Sequence, residues 1–459
     1  MGRQPSALFL FAFTQMWESF SYYGMRVLLV LYLISTLKYA ENDAFAIYAL
    51  YTCLVEFGAV FGGYCADRFL GLRTSVVLGG GAICAGHLLL TYADHQPLFF
   101  LGLGAIICGA TLFRSNLKAL VGAAYENGDP RKEAGFTLFY IGINLGGFAA
   151  ALLCGYAAQE YGWHAGFGLA TIGMLLGMGI FVLLHPCAVM KTPIPREASP
   201  KTILYAIPGV ILGCVVAGCL LAYYEVVQVI MLPIALVCLA VLMKVLWRKL
   251  PQDKASTMGA LLGLLLVYFT FEELMGSLLM VFSENQVDRN FMGWEIPSSA
   301  LSATNPLVII CCGPLLSLFL QKKRVSLFPR IAVAFLCLSV GFGLLYFSAV
   351  DHAATAFGMM ISFSAIALGE LFIAPAVYAY CSEVSPQEHK GLTMGIVTVT
   401  FALASLLSGH VSQLSNSLGE VAIPLTFLAI ALLSLLLCIG LASLQMKGLK
   451  TRFLATPEG

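Results

Sequence analysis

Long apolar runs separated by short polar connections fill almost the whole chain. A run of about 20 residues is enough to cross a hydrocarbon core roughly 30 Å thick at 1.5 Å per residue. The pattern predicts fourteen spans, near residues 7–37, 44–66, 73–93, 97–125, 134–158, 166–185, 203–222, 226–248, 257–283, 298–320, 328–350, 353–381, 391–414 and 423–444. They fall into groups of six, two and six, with the polar segments Thr192 to Pro200 and Pro251 to Ser256 flanking the central pair. Two repeated halves with a solute site at their interface are a common plan of secondary transporters. The expected organisation is therefore a six-helix bundle at 1–190, an inserted transmembrane hairpin with its linkers at 191–254, and a second six-helix bundle at 255–459. Few polar residues besides Tyr223, Tyr224 and Glu225 occur in the hairpin, which predicts a peripheral position for it.

Composition agrees. Of the residues, 59% are hydrophobic and 11% charged, against about 25% charged in a soluble domain. Charge position says more than the net charge of +1. Arg3, Arg68, Arg73, Arg131, Lys132, Lys191, Arg196, Lys322, Lys323, Arg324, Lys390 and Lys450 fall in alternate connections or tails on one side, while the other side keeps Lys38 and Arg289. Lysine and arginine concentrate on the cytoplasmic side, so both termini are expected there, as an even number of spans requires. The run after Ser6 lacks the small-residue cleavage site of a secretory signal, so the first helix is expected to be retained. Without a basic stripe, a nucleic-acid partner is not expected. The 14 cysteines are scattered through apolar runs without a CxxC pair or a Cys/His cluster at metal spacing. Neither a metal site nor an enzyme is expected, since no nucleophile with its base and no phosphate-cradling loop is found.

Chemistry is concentrated in residues that the pattern puts inside the membrane. Gln15, Glu18, Ser19, Tyr22, Tyr23 and Arg26 recur at three- and four-residue intervals, on one face of the first helix. A face of that kind avoids lipid; a structural ion pair is the alternative to a solute pathway. A charge at membrane depth costs about 2.5 to 3.5 kcal/mol on the insertion scale, so such charges are mostly functional. Glu18, Glu56, Glu272, Glu273 and Glu370 are the anionic candidates, and Arg26, Arg114 and Lys118 the cationic ones. The excess of carboxylates leaves some without a cation, and such groups can exchange protons near neutral pH. Lys118 lies about two turns from its helix end and could instead snorkel to the interface. Glu272 and Glu273 are adjacent and point about 100° apart on a helix, so one of the two is expected to face a cavity.

The segment Gly62-Gly63-Tyr64-Cys65-Ala66-Asp67-Arg68-Phe69-Leu70-Gly71-Leu72-Arg73 resembles the loop signature of the major facilitator superfamily. That resemblance implies that Asp67 caps a neighbouring helix N-terminus and latches one state. Further motifs follow in order. They are Phe20-Ser21-Tyr22-Tyr23-Gly24-Met25-Arg26, Gly128-Asp129-Pro130-Arg131 with Gly135-Phe136-Thr137, and Phe139-Tyr140-Ile141-Gly142-Ile143-Asn144-Leu145-Gly146. Phe271-Glu272, Val287-Asp288-Arg289, Ile296-Pro297, Asn305-Pro306 and Gly369-Glu370-Leu371 complete the set. Together they resemble the proton-dependent oligopeptide transporters of that superfamily.

The resemblance implies an all-α major facilitator fold of two six-helix bundles plus a two-helix insertion, and proton-coupled symport of di- and tripeptides by alternating access. Arg26 would bind a peptide carboxylate, Asn144 the peptide backbone, Tyr22 and Tyr23 the pocket interior, and Glu370 the peptide amine. Glu272 would gate and couple protons. The expected partners are a small peptide, protons and the lipid bilayer, with the proton gradient as the energy source, no cofactor, and a monomer in a prokaryotic inner membrane. Departures from the family pattern are equally specific. A Glu-x-x-Glu-Arg pattern in the first span reads Gln15, Glu18 and Ser19, and a Phe-Lys-Pro-Asn pattern in the fourth reads Phe113-Arg114-Ser115-Asn116. Arginine keeps its proton at physiological pH, so no neutral-lysine role is open to Arg114. Lys118 and Glu56 replace a small polar residue and a pocket tyrosine. Two readings follow: coupling survives, with Glu18 paired to Arg114 or Lys118 and Glu56 or Glu272 carrying the proton, or the substrate or coupling has changed. A peptide sensor that does not transport is the alternative from another class.

Overall fold

The computed structural model describes residues 4–93, 95–126, 129, 131–189, 199–323, 326–351, 354–386, 389–419 and 421–454. Its order is α1 (Ser6–Ser35), α2 (Glu41–Cys65), α3 (Leu72–Thr91), α4 (Gln96–Ala123), α5 (Lys132–Tyr161), α6 (Trp163–Val189), α7 (Pro200–Ala222), α8 (Tyr224–Trp247), α9 (Gln252–Glu272), α10 (Leu278–Gln286), α11 (Ser298–Leu301), α12 (Thr304–Lys323), α13 (Leu327–Val350), α14 (Ala356–Val384), α15 (Lys390–Ser417) and α16 (Ala422–Leu454). Thirteen membrane-length apolar segments lie among the described residues. The 30-residue α1 is the fourteenth long helix, and its polar stripe lowers its hydropathy. The fold is all-α: two six-helix bundles with a helix pair inserted between them.

Two crossings are broken where the sequence pattern predicts straight helices. Between α9 and α10 lies a 3₁₀ turn, Glu273–Gly276, followed by Ser277 at φ −127° and ψ −96°. Between α11 and α12, Ser302 and Ala303 interrupt the helix just before Asn305-Pro306. Backbone that departs from a helix at membrane depth is tolerated where it lines a cavity or is buried in protein. Both breaks lie beside the central cavity described below.

Close helix contacts rest on small residues, as expected where lipid supplies no hydrophobic drive for association. A Cβ built on Gly79 would sit 2.6 Å from the Gly109 carbonyl, and one on Gly109 would sit 2.6 Å from the Gly79 carbonyl, so α3 and α4 touch backbone to backbone. Likewise a Cβ on Gly146 of α5 would lie 2.1 Å from the Met16 carbonyl of α1. The inserted pair has a largely exposed surface. It nonetheless bridges the halves: α7 packs along α4, while α8 contacts α15 and α2. The α7 contact is again backbone-close, with Gly104 facing Cys214 O and Gly218 N, each 2.3 Å from an added Cβ. Most of the segment before α7 (190–198) lies outside the described residues, as do Gly128 and Pro130 of the Gly128–Arg131 motif. In that motif Arg131 Nη2 donates to Asp129 Oδ2 at 2.7 Å, and these hydrogen bonds hold the Asp129 carboxyl below the usual range.

The bundles meet tightly at the end away from the termini. There Gln413 Nε2 donates to Asn42 O at 3.0 Å and Asn416 Nδ2 to Asn42 Oδ1 at 3.1 Å, tying α15 to α2. A short β-hairpin, Asn290–Phe291 with Trp294–Glu295, caps that end. It turns at Met292 and Gly293 with φ 53° and 87°, the paired positive φ of a tight hairpin. Arg289 supports it through Glu284 at 3.2 Å and Glu295 at 2.9 Å. Toward the termini the bundles part. In α2 every residue from Ala44 to Val55 is buried, whereas Val60, Phe61 and Tyr64 are exposed. The structure is closed at one end and open at the end carrying the termini.

Candidate functional site

A cavity of about 330 Å³ lies between the bundles. Tyr22, Tyr23, Arg26, Glu56, Arg114, Lys118 and Asn144 line it from the first half, and Glu272, Glu273, Asn305 and Glu370 from the second. Of the eleven site residues expected from sequence, nine line this cavity. Glu18 lies behind its wall and Asp67 lies elsewhere.

The first-half charges are in contact. Arg114 Nε donates to Glu18 Oε1 at 2.8 Å, and its Nη1 lies 3.8 Å from Glu56 Oε1. The guanidinium carbon sits 3.8 Å from the centroid of the Tyr22 ring, a cation–π geometry. Glu18, with a side-chain exposure of 2%, accepts a second bond at 2.6 Å from Gln15 Nε2. The polar stripe of α1 thus turns inward as the spacing predicts, and of the two cations considered for Glu18, Arg114 takes it. Lys118 forms no ion pair among the described residues. It lines the cavity, as does Glu56.

One layer nearer the closed end, Arg26 Nε donates to Tyr48 Oη at 2.6 Å, and Nη2 donates to Glu273. This corrects the expectation that only one of Glu272 and Glu273 faces the cavity. The two side chains still diverge, since Glu272 and Glu273 both keep helical backbone angles, and the cavity extends far enough around the end of α9 to be lined by both. Both carboxylates reach the cavity, and Glu273 is the one on Arg26. A Cβ on Gly276 would sit 1.7 Å from Tyr48 Oη, so the glycine makes room for the tyrosine that orients Arg26.

Across the cavity, Glu370 Oε2 accepts from Asn305 Nδ2 at 3.2 Å. Glu272 makes neither a hydrogen bond nor an ion pair among the described residues. Asn144 Nδ2 bonds Tyr140 O at 3.1 Å, leaving its amide oxygen toward the cavity it lines.

Asp67 does not line the cavity. It lies exposed in a π-helical turn, Ala66–Leu70, that ends α2. Gly71, at φ 73° and ψ 160°, makes the turn into α3.

The sequence profile of the POT family matches residues 73–425. The chain belongs to the POT family. It is 29% identical over 440 residues to the uncharacterized transporter YclF of Bacillus subtilis (strain 168), covering 91% of this chain and 89% of that protein. It is 28% identical over 442 residues to dipeptide and tripeptide permease A of Chromobacterium violaceum, covering 93% and 89%. Among solved structures, a peptide transporter POT in complex with alafosfalin superimposes with a TM-score of 0.85 at 27% identity, covering 96% of this chain and 95% of that one. This POT member is thus a multi-pass membrane transporter of the major facilitator fold, not an enzyme.

Sequence reasoning left out Glu273, Tyr48 and Asn305 as site residues. Glu273 stands among the buried charges, but its pairing with Arg26, 247 positions away, is visible only in three dimensions. Tyr48 carries no charge and sits in an apolar run; its contact with Gly276, too, is visible only in three dimensions.

Proposed function

We propose that this POT member is a proton-coupled symporter that carries di- and tripeptides into the cytoplasm by alternating access. The observation that supports this most is the cavity itself: Arg26, Arg114 and Lys118 on one bundle face Glu272 and Glu370 on the other. A zwitterionic peptide spans such a pair of walls, its amine at Glu370 and its carboxylate toward the cations, with Asn144 at the peptide backbone and Tyr22 and Tyr23 enclosing the body. Both termini lie in the cytoplasm, a reading supported by the lysine and arginine bias, and the protein sits in the inner membrane as a monomer. In that orientation the open end faces inward.

Glu272, lacking a partner among the described residues, carries the proton, with Glu56 as the second carboxylate within reach of a cation. Glu18 is fixed by Arg114 and Gln15 and holds the arginine in place. No cofactor takes part; the proton gradient supplies the energy. Residues 1–190 and 255–459 rock about the cavity, and 191–254 ride with them. Uptake of dipeptides into proteoliposomes, with and without an inward proton gradient, tests the reading. Gradient-stimulated accumulation is expected; accumulation indifferent to the gradient refutes coupling, and failure of all peptides to be taken up refutes the substrate class.

A second reading has a specific observation behind it. Arg114 stays charged at physiological pH and is neutralised by Glu18 at 2.8 Å, which removes one titratable group from the pathway. Facilitated exchange without protons then follows, and it is distinguished by rapid counterflow with an unchanged pH profile.

A further inference from the structure

We infer that this cavity selects peptides with net positive charge, an additional cationic side chain being held beside the amine by the Glu272–Glu370 wall. The inference rests on the peptide-transport reading and adds the charge class of the substrate.

Three observations carry it. First, the cations of the first bundle are already engaged by the protein's own carboxylates. Arg26 is bound to Glu273. Arg114 is bound to Glu18 at 2.8 Å, with Glu56 at 3.8 Å. Glu56 and Lys118 line the same cavity. A substrate anion entering this cavity has to displace a carboxylate from a guanidinium or be satisfied by Lys118 alone.

Second, the opposite wall holds carboxylates and no cation. Glu370 is bonded to a neutral amide, Asn305, and Glu272 has no hydrogen-bonding or ionic partner among the described residues. The cavity and the glutamate behind it therefore place five carboxylates (Glu18, Glu56, Glu272, Glu273, Glu370) against three cations (Arg26, Arg114, Lys118). With Glu272 in its deprotonated state, such an imbalance in a site of low dielectric attracts a cation and repels an anion much more strongly than it would in water.

Third, this wall carries aromatic faces. Tyr378 and Phe401 line it, their rings stacked at 6.1 Å and 22°, and Tyr140 of the first bundle lines the same cavity. Aromatic faces beside carboxylates bind ammonium and guanidinium groups. The wall thus offers two carboxylates and aromatic rings to the peptide amine and a basic side chain.

The test is direct binding to the purified full-length protein in detergent, by titration calorimetry, so that it is independent of coupling. The probes are alanyl-lysine, its neutral isostere alanyl-norleucine, alanyl-glutamate, and the diamine cadaverine. Alanyl-lysine is expected to bind about tenfold or more tightly than alanyl-norleucine, the scale of one charge interaction in a partly desolvated site, and alanyl-glutamate most weakly. Glu272→Gln is expected to narrow the gap between the first two; Glu370→Gln serves as the second variant, and the wild-type panel alone decides if either variant fails to fold. Equal affinity for the lysine and norleucine peptides, or tighter binding of alanyl-glutamate, overturns the charge preference and leaves peptide transport standing. Binding of cadaverine without binding of any peptide upholds the cationic wall and overturns the peptide reading. Binding of none of the probes overturns both.

Discussion

Arg114 and Glu18 are bound at 2.8 Å with the arginine over the ring of Tyr22, so one ion pair joins α1 to α4 and forms the cavity wall. Removing one partner of a buried pair leaves an uncompensated charge, which costs about 3–5 kcal/mol in water-soluble hosts. Arg114 borders the cavity and has Glu56 in reserve at 3.8 Å, so Glu18→Ala is expected to cost about 3 kcal/mol, at the lower end of that range. The double variant Glu18→Gln/Arg114→Gln is expected to be less destabilised than Glu18→Ala. Thermal unfolding in detergent of Glu18→Gln, Arg114→Gln and the double gives the coupling energy; additive losses would show that the two residues act independently.

Glu273 occupies a face of Arg26 that a substrate carboxylate could use. Glu273→Gln keeps the shape and removes the competing charge. A hydrogen bond to a charged group contributes about 1.5–3 kcal/mol, so alanyl-norleucine is expected to bind about tenfold more tightly to the variant. Calorimetry on the two proteins measures it, and unchanged or weaker binding would place the substrate carboxylate away from Arg26.

The ion pairs show where sequence reading succeeds and where it stops. Which charged residues gather at the cavity was legible because charge at membrane depth is costly: Glu18, Glu56, Arg114, Lys118, Glu272 and Glu370 stand out from an apolar background without any structure. The fold was legible for the same reason, as spans of the required length leave few arrangements. Pairing was not. Glu18 could be matched with Arg114 or Lys118 by sequence alone, and only the geometry gives it to Arg114. Likewise the 3₁₀ turn at Glu273–Gly276 has no proline to announce it, and the close approach of Tyr48 to Gly276 comes from another helix.

Glycine contacts grade the cost of adding a methyl group by what it meets. At Gly146 an added Cβ meets the Met16 carbonyl at 2.1 Å, so α1 and α5 have to separate. At Gly276 it meets the hydroxyl end of Tyr48, which a side-chain shift relieves at the expense of the bond to Arg26. Gly146→Ala is expected to lower stability by about 1–3 kcal/mol, the usual range for overpacking. Gly276→Ala is expected to lose less stability but to reduce substrate affinity. Unfolding temperature and binding measured on both variants check the split, and an equal loss of stability at the two sites would contradict it.

The closed end is held by Asn42, which accepts from Gln413 through its backbone carbonyl and from Asn416 through its side chain, at 3.0 and 3.1 Å. Asn42→Ala deletes the side-chain acceptor and keeps the backbone one. About 1 kcal/mol is at stake, which changes the ratio of closed to open populations about fivefold. Since Asn42 does not line the cavity, substrate affinity at the open end is expected to stay within about twofold once that population change is included. Amide hydrogen exchange should speed up in α2 near Ala44 and in α15 near Ser412, the two segments that part when this end opens. Alternating access requires that loosening this end speeds counterflow when opening limits the cycle. Faster exchange without any change in counterflow would mean that a different step, at the other end, sets the rate.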